Sequence, residues 1–71
     1  MKNNKENDLK QELIDKIAQN PMEEDNYIEL GRLYLVEQNF EEALGLYEAL
    51  LKINPFNSQA LINAGSLYFY F

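Results

Sequence analysis

The chain has 71 residues, a formal net charge of −6, and neither cysteine nor histidine. A chain of this length forms one domain at most and buries only about 60% of its unfolded surface. The missing residue types remove disulfides, the usual zinc ligands, the thiol nucleophile and the commonest general base, and the acidity disfavours phosphate backbones and anionic membranes.

The first six residues, Met1 to Glu6, are polar and read as a disordered tail with no secretory signal. Leu9, Leu13, Ile14 and Ile17 then recur at spacings of three and four, which predicts a helix over about 7–19. Asn20-Pro21 ends it, because proline lacks the amide donor and pushes the preceding residue out of helical geometry. Tyr27, Leu30, Gly31, Tyr34 and Leu35 form the next stripe, over about 22–37. Glu23, Glu24 and Asp25 precede it, where negative charge favours a helix start; the calcium-loop spacing is missing there, so a solvated helix start is the reading. Asn39 with Glu42 three residues on resembles a capping box and opens a helix over about 40–53, carrying Phe40, Ala43, Leu44, Tyr47, Leu50 and Leu51. Asn54-Pro55 closes it. Ser58 or Asn57 caps a fourth helix over 58–71, with Leu61, Ala64, Gly65 and Tyr68. No stretch alternates over a strand length between turn signals, so the expected class is all-α.

The chain repeats itself. Asn20-Pro21 returns as Asn54-Pro55, Leu30-Gly31 as Ala64-Gly65, Tyr34 as Tyr68, Leu13 as Tyr47 and Ile17 as Leu51, all at an offset of 34 residues. In register, Tyr27, Leu30, Gly31, Tyr34, Phe40, Ala43, Tyr47 and Pro55 resemble the tetratricopeptide repeat family. The resemblance implies antiparallel helix hairpins stacked as a short α-solenoid over 7–71. Residues 24–57 would be a complete repeat, flanked by half repeats over 7–21 and 58–71. It also implies a core in which Gly31 and Ala43 allow close helix approach, Gly65 repeats that role, and Pro55 ends the unit. Two positions depart from the family. Gln38 stands where glycine is frequent and would need a left-handed backbone. Leu50 stands where alanine is preferred and makes a bulkier contact.

Solenoid units cannot bury their apolar faces alone. The final helix runs out on Leu67-Tyr68-Phe69-Tyr70-Phe71, which predicts an oligomer interface over those five residues. Two expectations follow: a piece of a longer array, or a homo-oligomer whose second chain supplies the missing helix, by helix exchange or otherwise. By the resemblance, a partner groove is lined by Ile28, Arg32, Leu35, Ile62, Ser66 and Phe69. Of the basic set with which some family members hold acidic peptide termini, only Arg32 is kept. Ile28 and Ile62 stand where basic or polar groups would be needed, so the groove suits an apolar or amphipathic helix. Arg32 could pair with a partner carboxylate, or with Glu29 or Asp25 beside it.

No reaction chemistry stands out. The paired carboxylates lie on helix starts, Ser58 and Ser66 have no base nearby in sequence, and Gly31, Gly45 and Gly65 form no phosphate loop. The expected function is a protein-interaction scaffold, cytoplasmic, without cofactor or metal, either with its own ligand or purely self-assembling.

Overall fold

Local punctuation decides where the chain turns, and the computed structural model, which describes residues 4–71, shows four helices in sequence: α1 (Asn4–Gln19), α2 (Glu24–Val36), α3 (Phe40–Ile53) and α4 (Ser58–Tyr70). The described residues contain no strand. Both Asn-Pro pairs lie in joints, as expected from proline's missing donor. The expected tail over 1–6 falls partly outside the described residues; Asn4, Lys5 and Glu6 already belong to α1, which starts earlier than residue 7 because nothing there breaks it. α2 starts at Glu24 rather than 22, after a turn in which the Glu23 amide donates to the Asn20 carbonyl.

Each helix packs against its neighbours in the chain, giving a stack of antiparallel hairpins. The side-chain pairings fix the directions. Glu24 at the start of α2 meets Asn54 just after α3, and Phe40 at the start of α3 meets Tyr70 at the end of α4. The main core joins Tyr27 and Ile28 of α2, Ala43, Tyr47 and Leu50 of α3, and Ala60, Ala64 and Leu67 of α4. Leu13 of α1 and Leu30 of α2 are buried too. α1 is amphipathic but polar overall, with Leu9 and Ile14 about two-fifths exposed.

The joint between α2 and α3 turns on Gln38, whose φ is +63°. The left-handed conformation costs a residue with a Cβ roughly 1–2 kcal/mol, and Gln38 is exposed, so its side chain loses little in exchange. Gln38→Gly is therefore expected to stabilise the fold by about 0.5–1 kcal/mol after allowing for glycine's extra freedom in the unfolded chain. The midpoint of urea denaturation measures this, and an unchanged or lower midpoint contradicts it.

The capping box expected at Asn39 does not form. Asn39 precedes α3, but its side chain makes no cap bond and donates instead to Glu37. At α4 the cap is Asn57, not Ser58: its side-chain oxygen accepts from the Ala60 amide at 2.9 Å.

Candidate functional site

The 34-residue offset makes α2 and α4 equivalent helices, so their exposures can be compared position by position. Tyr27 is 6% exposed and its counterpart Leu61 49%; Ile28 is 8% exposed and Ile62 67%. Gly31 is buried and Gly65 exposed; Tyr34 and Leu35 are half-buried, while Tyr68 and Phe69 are 56% and 94% exposed. Leu30 and Ala64 are both buried, at 2% each. The cause is a neighbour. α3 lies on α2 and closes this face, whereas in this structure no helix lies in that position on α4. The result is an apolar strip of Leu61, Ile62, Gly65, Tyr68 and Phe69 in a helix without a charged residue.

The contact at Gly31 shows what such a face accepts. A Cβ built there would lie 2.7 Å from Cζ of Tyr47 and 2.8 Å from its hydroxyl oxygen. Tyr47 is 1% exposed, so its ring is seated on bare glycine backbone. Burial pushes the Tyr47 hydroxyl pKa up, with the positive charge of Arg32 acting weakly against it. At Gly65 a Cβ would meet nothing within 4 Å. Gly65 is thus not the core position expected of it, because no side chain in this structure plays Tyr47's part. Pro55 is exposed as well and terminates rather than packs.

The five residues expected at an oligomer interface divide. Leu67 is 5% exposed and belongs to the core, since it points back toward α3 with Ala60 and Ala64. Tyr68 donates its hydroxyl hydrogen to the Glu48 carboxylate of α3, and that bond raises its pKa, with desolvation adding to it. Tyr70 stacks edge-on against Phe40 at 4.8 Å between ring centres, and Phe71 packs on Tyr70 at 5.6 Å. Phe69 makes no ring contact among the described residues and is the most exposed large apolar side chain.

The expected groove is corrected in the same way. Ile28 is core, because α2 has a helix on either side in the chain order. Arg32, Ile62, Ser66 and Phe69 are exposed, and Leu35 is half-buried. Arg32 forms no ion pair with Glu29 or Asp25; Lys10 pairs with Glu37, at 2.8 Å. A concavity of about 690 Å³ runs along α3 between Met22, Gly45, Glu48, Lys52 and Tyr68, and none of the expected groove residues lines it. The described residues hold no cluster of three or more metal-ligating side chains, and none of their helices is long and apolar enough to cross a membrane.

Two polar links were not anticipated. The Lys10 ammonium lies 5.4 Å above the Tyr34 ring while pairing with Glu37, tying α1 to the end of α2. Glu24 accepts from the side-chain amides of Asn57 at 2.8 Å and Asn54 at 3.1 Å, tying the start of α2 to the joint before α4. These bonds, the one from Asn57 foremost, hold the Glu24 carboxyl below its ordinary 4.5. A lowered carboxyl pKa adds stability above the unfolded value, and that stability is lost as pH falls through the folded value. Asn57→Ala removes both the cap and the stronger donor. It is expected to cost about 1 kcal/mol and to move the Glu24 pKa upward in a carboxyl-resolved NMR titration; an unmoved pKa contradicts the link.

No protein-family model, curated protein or solved structure matches the chain.

Proposed function

We propose that the chain is a protein-interaction module of the tetratricopeptide type, whose working surface is the open face of α4. It self-associates there, or receives an apolar helix from a partner. The observation that supports this reading is the contrast between α2 and α4: one face, repeated at 34 residues, closed by a helix in the first case and bare in the second. Burying one large apolar side chain is worth about 1.5–3 kcal/mol, so the four of the strip, Leu61, Ile62, Tyr68 and Phe69, favour company. Arg32, Leu35, Ser66 and Phe69 repeat in register along α2 and α4 and extend the surface toward a longer ligand. The amphipathic helix-in-groove mode suits this composition better than capture of a charged terminus.

A peptide copying residues 39–54, the segment that covers α2, tests the face directly. Fluorescence anisotropy of the labelled peptide is expected to show saturable uptake by the chain, weakened at least tenfold by Ile62→Glu. Absence of both peptide uptake and self-association, in a chain that circular dichroism shows to be helical, overturns the reading.

A further inference from the structure

From the seating of Tyr47 on Gly31 we infer that two copies of this chain pair through antiparallel α4 helices, with Phe69 of each inserted over Gly65 of the other. This rests on the reading of α4 as the interaction face and names its occupant. Three observations select a second copy. Gly65 and Phe69 lie four residues apart, hence on one side of the helix, and the first is open space while the second is 94% exposed. A socket and its knob on the same face make that face complementary to itself under a two-fold axis, where residue i meets j and j meets i. The internal precedent is an aromatic ring on glycine backbone within the same fold.

Charge points the same way. Each chain carries −6, yet residues 53–71 hold no charged side chain, so two acidic copies meet least repulsion along α4, where the nearest carboxylate, Glu48, is bonded to Tyr68. Head-to-tail stacking is the competing geometry, and α1 is poorly built for it. At the 34-residue offset Lys16 stands where α3 has the fully buried Leu50, and Glu12 where it has Leu46. The shared face is small: Ile62 and Phe69, 67% and 94% exposed, lie on the Gly65 side of the helix with Tyr68 beside them, so the pairing is expected to be weak beside standard interfaces of about 800 Å² per partner. In this register Ile62 of one copy lies near Phe71 of the other.

The chain has no cysteine, so single cysteines report the register. Sedimentation equilibrium of the native chain is expected to give a monomer–dimer equilibrium that does not grow further. Phe69→Ala, at an exposed site that leaves the fold intact, is expected to weaken it by at least about a hundredfold, since each dimer loses two buried rings. Under mild oxidation, an equimolar mixture of Gly65→Cys and Phe69→Cys chains is expected to form the mixed disulfide in preference to either symmetric one. A monomer at all concentrations overturns the pairing while peptide uptake would leave the interaction reading standing. A dimer that cross-links 65 to 65, or a ladder of growing oligomers, overturns this geometry in favour of another crossing or of head-to-tail stacking.

Discussion

Tyr47→Ala is expected to remove about 3–5 kcal/mol of folding stability, the usual cost of deleting a buried aromatic side chain. A 71-residue chain has roughly 4–10 kcal/mol in total, so the variant is expected to be largely unfolded at 37 °C. Tyr47 is 1% exposed and sits where α2, α3 and α4 converge, so its removal leaves a cavity in the middle of the core. Tyr47→Phe is the control: its ring remains, and it should lose less than about 1 kcal/mol. Leu50, with no exposure at all, should behave like Tyr47 on a smaller scale, about 2–5 kcal/mol for Leu50→Ala. Urea denaturation followed by circular dichroism measures all three, and a Tyr47→Ala midpoint close to the native one contradicts the central place given to this ring.

The second expected result is that the same substitution has opposite signs at two equivalent glycines. Alanine in place of glycine within a helix gains about 1 kcal/mol. At Gly65 the added methyl meets nothing, so Gly65→Ala should stabilise the dilute monomer by about 0.5–1 kcal/mol. At Gly31 the methyl would lie 2.7 Å from the buried Tyr47 ring, which must shift within the core, and overpacking of that kind costs about 1–3 kcal/mol. Gly31→Ala should therefore be destabilising on balance, and the two variants should differ by about 1–3 kcal/mol. Equal shifts in the two denaturation midpoints contradict the claim that Gly31 is held by contact and Gly65 is not.

The helices were legible in the sequence because their ends are punctuated. α3 spans the expected 40–53, since Asn39 precedes it and Asn54-Pro55 closes it. The left-handed turn at Gln38 followed from the departure at a position where glycine is frequent. What the pattern could not supply was the environment of repeated residues. Ile28 and Ile62 are the same residue type in the same register, and one is core and the other surface, because that depends on whether a neighbouring helix is present. Leu61 was overlooked as a site residue for this reason, although its equivalence to Tyr27 would have placed it on the open strip. Polar links between distant residues left no local signal. Lys10 and Glu37 are 27 positions apart, and Glu24 and Asn57 are 33 apart. Asn39 shows the converse failure: its residue type suits a cap, but Glu37 two residues away competes for its side chain.

The stack of consecutive hairpins also governs how the chain reaches its native state. Because each helix touches its neighbours along the chain, most native contacts close short loops, which places the protein among fast folders on the microsecond to millisecond scale. Opening is equally graded: the polar α1, docked on α2 alone among the larger contacts, should exchange its amide hydrogens before the Tyr47-centred middle of the stack does.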